Sequence, residues 1–151
     1  MNDAELLRQI RTAWEAADPA PSGLADRVLF ALQLENLEYE LMRLQHTEEL
    51  VGARSGSDVE TVTFGCDHLT VMLMLPRAGD PQLRLDGWLA PGAALRVELR
   101  SGTTPRETVA SADGRFAFSD VPAGLVQLVI HPTDGATVAL ARPVVTPAIQ
   151  L

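Results

Sequence analysis

The spacing of apolar residues changes abruptly along this 151-residue chain, from a helical period before residue 50 to an alternating period after residue 58. Helices that cover one face repeat apolar residues every three or four positions, whereas half-covered strands repeat them every two. The residues between the two regions are small and polar, which is typical of a linker. The sequence therefore predicts an α+β protein with a helical interaction segment over 1–50, a linker over 51–58 and a β-sandwich over 59–151.

The first predicted helix begins close to the amino terminus, where Asn2 or Asp3 can serve as its cap. Its apolar residues recur at helical spacing: Leu6, Leu7, Ile10, Trp14 and Ala17. The prolines of segment 18–23 end this helix, because each proline disfavours a helical conformation in the residue before it. Ser22 is the predicted cap of a second helix, and the two helices together predict a helical hairpin.

The second predicted helix carries the strongest local pattern of the chain. Its large apolar residues follow one another at spacings of four, three, four and three, and we call this set the apolar seam: Phe30, Leu34, Leu37, Leu41 and Leu44. Full burial of the five side chains of this seam represents about 10 kcal/mol, so we expect it to be covered either by the first helix and the sandwich or by a partner protein. Glu35 and Glu38 lie away from the seam, where their charge would steer a basic partner toward the helix.

The region after residue 58 consists of short alternating runs separated by turn residues. The predicted strands cover 59–64, 69–75, 83–89, 95–100, 108–110, 116–118, 125–130 and 138–140, followed by a proline-containing tail. No run of helical length lies between them, so a parallel sheet is not expected. About seven or eight strands with turns every 8–12 residues predict an antiparallel β-sandwich, the architecture of immunoglobulin-like domains.

Composition excludes several classes of partner. The net charge is -8, and no basic cluster is present to neutralise nucleic-acid phosphates. No apolar stretch approaches the roughly 20 residues of a membrane-spanning helix, and the amino terminus lacks the features of a signal peptide. We therefore expect a cytoplasmic protein that binds neither nucleic acid nor a membrane.

Few residues are candidates for catalysis or metal binding. Cys66 and His68 are close enough in sequence to suggest a nucleophile and its base, but the surrounding residues include no glycine-rich elbow. The three histidines, His46, His68 and His131, share no ligand spacing, so we expect no catalytic residue, metal or cofactor. Trp88 fits either core packing or an exposed binding surface, and we expect it in the core.

The run Asp113-Gly114-Arg115-Phe116-Ala117-Phe118, continued by Val121-Pro122-Ala123-Gly124 and an apolar strand over 125–130, resembles the carboxypeptidase regulatory-like domain. The resemblance implies a small transthyretin-like β-sandwich, whose opening strands would include 87–89 and 95–99. Some transthyretin-like sandwiches are hydrolases with a Tyr-Arg-Gly-Ser terminus, which this chain lacks. The resemblance therefore implies a fold and carries no activity with it.

The whole chain also resembles a group of uncharacterised actinobacterial proteins, through Asp18-Pro19-Ala20-Pro21 and the run 24–32. That resemblance implies association with sigma-factor gene clusters. We expect a non-enzymatic regulatory or adaptor protein whose helices bind a sigma factor, a co-encoded effector or a second copy of the chain. Two alternatives stay open: a small-ligand or glycan-binding sandwich acting through loops such as 76–81, 101–107 and 119–124, and a hydrolase that uses Cys66 and His68.

Overall fold

The computed structural model describes residues 2–32, 38–49, 60–75, 83–102 and 104–151. The chain divides into two compact units, a helical unit over Met1–Asn36 and a β unit over Leu37–Leu151. The boundary falls before the linker predicted over 51–58, and that segment lies outside the described residues. The α+β class is confirmed, with two helices and two sheets in the described residues.

Helix α1 (Asp3–Ala17) begins and ends where its sequence predicts. The Asn2 side chain accepts a hydrogen bond from the Glu5 amide at 3.1 Å, so Asn2 is the N-cap. At the other end the Asp18 amide donates to the Trp14 carbonyl, and Pro19 follows. No residue of α1 is buried.

Helix α2 (Leu24–Leu32) is shorter than predicted. The Gly23 carbonyl accepts the first helical hydrogen bond, from the Arg27 amide, so Gly23 rather than the predicted Ser22 stands at the N-cap position. Gly23 has a φ of 73°, which glycine adopts without strain. No helix of the described residues is long and apolar enough to cross a membrane.

The predicted continuation of the second helix to about residue 50 is wrong. Strand β1 (Glu40–Leu41) pairs with the tail of the chain, and strand β2 (Arg43–Glu49) pairs with β3 (Glu60–Gly65). The side chain of Met42, between β1 and β2, is buried in the core of the β unit. These long-range backbone pairings override the modest helix propensity of the segment.

The remaining strands are β4 (Thr70–Leu75), β5 (Leu83–Ala90), β6 (Arg96–Ser101), β7 (Arg106–Val109), β8 (Arg115–Val121), β9 (Leu125–His131), β10 (Val144–Val145) and β11 (Ile149–Gln150). One sheet has the order β2-β3-β4-β5-β8, and we call it the five-stranded sheet. The six-stranded sheet has the order β1-β10-β9-β6-β7, with β11 also paired to β9. All pairings are antiparallel except that of β1 with β10.

Both sheets contribute alternate residues to one core, which is why the alternating runs of the sequence fold as strands. The core includes Leu73 and Leu85 from the five-stranded sheet. It also includes Val97 and Leu128 from the six-stranded sheet. The strand predicted over 138–140 is absent. Instead the proline-containing tail pairs with β9 through β10 and β11, and the buried Thr146 hydroxyl accepts from the Leu128 amide at 3.0 Å.

Candidate functional site

The two helices present large apolar side chains to solvent. On α1, residues Leu6, Ile10 and Trp14 are spaced four apart and therefore form one stripe, with Leu7 beside it. All four are exposed, and Trp14 is 69% exposed. We call these four residues the α1 stripe. Arg8 and Glu5 form an ion pair away from the stripe, so α1 has one apolar face and one charged face.

Helix α2 has a comparable stripe. Leu24, Val28 and Leu32 are again spaced four apart, and all three are exposed. Phe30 projects from a different side of this helix and is only 8% exposed, so its ring is not available to a partner. We call Leu24, Val28 and Leu32 the α2 stripe.

The predicted apolar seam does not exist as one helical surface. Leu34, Glu35 and Leu37 lie outside the described residues, whereas Leu41 and Leu44 belong to strands β1 and β2. Leu41 and Leu44 are both more than half exposed. Glu38 is exposed and precedes β1, so it does not lie on a helix. A binding role for these residues stays a prediction, but a role as a continuous helical seam is excluded by the strand pairing.

The Cys66 thiol lies in the turn between β3 and β4. It donates a hydrogen bond to the Leu69 carbonyl at 3.5 Å, while His68 is exposed in the same turn. The thiol is therefore oriented by a backbone carbonyl, and a carbonyl cannot act as a general base because it does not take up the thiol proton. That contact explains Cys66 as part of the turn and provides no base for a nucleophile.

A second group of polar residues lies on β6, β7 and β9, on the face of the six-stranded sheet opposite the core. Glu98 is buried and binds Arg100 at 2.8 Å and His131 at 2.7 Å. Arg96 binds Glu107 at 2.5 Å beside this pair. Burial alone would raise the pKa of Glu98, but the hydrogen bonds from Arg100 and His131 outweigh it and hold the pKa below its usual range.

Glu98, Glu107 and His131 bring three potential metal-ligand atoms within 4.8 Å of one another. Both carboxylates, however, already bind a guanidinium group, from Arg100 and Arg96 respectively. A divalent cation at this position would face two positive charges at close range, so the chemistry of the group is that of an ion-pair network. The sequence prediction missed this network because Glu98 and His131 are 33 positions apart.

Trp88 is not in the core, so the expectation for this residue is wrong. Residues Leu85, Gly87 and Leu89 of β5 face the core, which leaves Trp88 on the opposite face, 47% exposed. A side chain at Gly87 would collide with the Phe116 ring, whose tip lies 2.1 Å from the Cβ position. The strict alternation of β5 is the sequence signal that could have placed Trp88 outside.

Comparisons with protein-family models, with curated proteins and with solved structures give no match to this chain. The likeness of the run 113–130 to a carboxypeptidase regulatory-like domain therefore stays a prediction from the residues alone. Over the described part of the chain, the structure shows two helices, two sheets and one hydrophobic core.

Proposed function

We propose that this chain is a non-enzymatic regulatory or adaptor protein that binds another protein through the α1 and α2 stripes. The observation that carries the proposal is α1, a fifteen-residue helix with a continuous apolar face and no buried residue. An isolated helix of this length is only marginally stable in water, and burial of its apolar face is what normally stabilises it.

The size and type of the exposed side chains support a protein partner. Trp14 offers the largest exposed apolar side chain of the helical unit, and tryptophan is enriched among residues that dominate binding energy. The α2 stripe adds two leucines and a valine with the same spacing. Stripes with spacings of four are what a helix presents when it docks into an apolar groove.

Charge supports a basic partner surface. The chain carries a net charge of -8, and α1 begins with Asp3 and Glu5 in its first turn. Opposite charge on the partner would increase the rate of encounter, while the apolar stripes would determine the lifetime of the complex. A sigma factor or a co-encoded effector is the partner we propose from the resemblance of the whole chain to actinobacterial proteins, with cytoplasmic localisation. In the same proposal the β unit is a transthyretin-like sandwich that serves as a rigid support.

The experiment compares two substitutions on the same helix that change the charge by the same amount. Ile10→Glu places a carboxylate in the α1 stripe, and Thr12→Glu places one on another side of α1, at a residue that is also exposed. Each tagged full-length variant is expressed in the source cell, and the proteins that co-purify are quantified by mass spectrometry and then titrated in purified form.

We expect Ile10→Glu to weaken the partner's binding at least tenfold, which corresponds to about 1.4 kcal/mol, and Thr12→Glu to leave it nearly unchanged. Thermal unfolding of the β unit should be the same in both variants. Equal binding by the two variants would contradict the proposal, and so would a wild-type chain that captures no protein above the level of Ile10→Glu. Sedimentation of the purified chain separates self-association from binding to a different protein.

A further inference from the structure

The five-stranded sheet carries an exposed aromatic residue next to an arginine that binds no carboxylate of the described residues. Trp88 on β5 lies directly opposite Arg115 on β8, and the Arg115 guanidinium carbon lies 5.2 Å from the centre of the indole ring. The Arg115 side chain thus forms a cation–π interaction with Trp88, and the residue is exposed. A guanidinium held over an indole keeps its N–H donors directed outward.

These two side chains line a groove of about 560 Å³. The other lining residues are Leu89, Ala90, Gly92, Ala112 and Asp113. This volume is comparable to that of small-molecule sites, roughly 300–1,000 Å³, but the groove is shallow and open to solvent, so a ligand in it would be partly exposed. On the other side of Trp88, Met72 lies directly across the strand pair and is also exposed, so it extends the apolar surface beyond the indole.

The walls of the groove are held in place by backbone contacts. The Trp88 indole N–H donates to the Asp113 carbonyl at 2.9 Å, which fixes the ring, and the Leu89 amide donates to the Gly114 carbonyl at 2.8 Å. A Cβ at Gly92 would lie 2.8 Å from the Asp113 carbonyl carbon. The backbone around Gly92 therefore packs directly against the backbone of Asp113 and Gly114. Because these walls are fixed, the groove needs little rearrangement to accept a ligand.

We infer that the Trp88–Arg115 groove binds a small aromatic carboxylate, with its ring against Trp88 and its carboxylate on Arg115. The planar guanidinium fork matches a carboxylate through two parallel hydrogen bonds. A single negative charge suits the site better than a phosphate, because Asp113 also lines the groove and the chain as a whole is acidic. This inference concerns the β unit alone and does not depend on the function proposed for the helices.

The test uses the full chain, uniformly labelled with ¹⁵N, and two probes of the same shape. The first probe, 2-naphthoate, has the ring and the charge, and the second, 2-naphthamide, has the ring without the charge. Each is titrated while the indole N–H signal of Trp88 and the backbone amide signals of Leu89, Ala90, Gly92 and 111–115 are followed. We expect naphthoate to shift these signals and to bind at least about tenfold more tightly than naphthamide.

Two variants test whether Arg115 causes the preference for naphthoate over naphthamide. Arg115→Gln should abolish the tenfold preference for naphthoate while the rest of the spectrum shows a folded chain. Arg84→Gln is the matched control, since Arg84 is an exposed arginine of β5 that already binds Asp86, and it should retain the preference. The inference is overturned if naphthoate causes no shift at these signals, if both probes bind equally, or if Arg115→Gln binds naphthoate as the wild type does.

Discussion

The two units of this chain treat their apolar residues in opposite ways. In the β unit, the alternate leucines and valines of both sheets are buried, and many of them are completely inaccessible to solvent. In the helical unit, the α1 and α2 stripes are exposed, although their side chains are just as large. The β unit therefore buries its own apolar surface, whereas the stripe residues of the helical unit are exposed to solvent.

This difference has an energetic consequence. A completely buried leucine contributes about 1.5–3 kcal/mol relative to an exposed one, so the core of the β unit holds most of the stability of the chain. Burial of the stripes by the proposed partner would release free energy of the same origin. The stripes and the folding core are built from the same residue types, and their exposure distinguishes them.

Truncation of one leucine in each unit should reveal the largest difference between the two units. Leu85→Ala removes a side chain with 0% exposure and should lower the free energy of unfolding of the β unit by about 2–5 kcal/mol, because a cavity remains. Leu7→Ala removes a side chain that is 66% exposed and should change the free energy of unfolding of the β unit by less than about 0.5 kcal/mol. Urea denaturation measures both, and similar losses in the two variants would show that the helices are part of one common core.

A smaller effect is expected at the ion pairs of the six-stranded sheet. The pKa of Glu98 is lowered from 4.5, so the folded state favours the ionised carboxylate. Its contribution is present above the unfolded-state pKa and is lost as the pH falls through the lower folded-state pKa. Near neutral pH, Glu98→Gln should lower the free energy of unfolding by about 1.5–3 kcal/mol, and the gap to wild type should narrow below pH 4.5.

Glu107→Gln is the control for this prediction. Glu107 binds Arg96 on the same face, but its side chain is half exposed, so the loss should be below about 1 kcal/mol. Urea denaturation between pH 3 and pH 8 gives both values. The difference in free energy of unfolding between wild type and Glu98→Gln could instead stay constant with pH, or equal the difference for Glu107→Gln. Either result would show that the buried ion pair does not stabilise the β unit.

Local patterns predict the elements that local interactions determine. The cap at Asn2 and the spacing of Leu6, Ile10 and Trp14 are sufficient to define α1. The alternating runs likewise define strands such as β5 and β6. In each case the spacing of the apolar residues is sufficient to predict the type of element and which of its residues share a face. No contact with a distant segment is needed for that prediction.

The failures involve residues whose partners are distant in sequence. Residues 40–49 have the composition of a helix, but they pair with β10 and β3, which the local pattern does not contain. Glu98 and His131 form their contact only after β6 and β9 are aligned. Trp88 is a different case, because the signal lies in its own strand: the alternation of β5 places Leu85 and Leu89 in the core and Trp88 on the opposite face.

Amide hydrogen exchange on the isolated full-length chain tests most directly whether the two units differ as described. Exchange rates follow local stability, and the amides of a helix without buried residues open readily. We predict rapid exchange throughout α1 and slow exchange in the central strands of both sheets, such as β4 and β9. Protection of α1 equal to that of β9 in the isolated chain would contradict the central claim, because it would show that the helices are already covered.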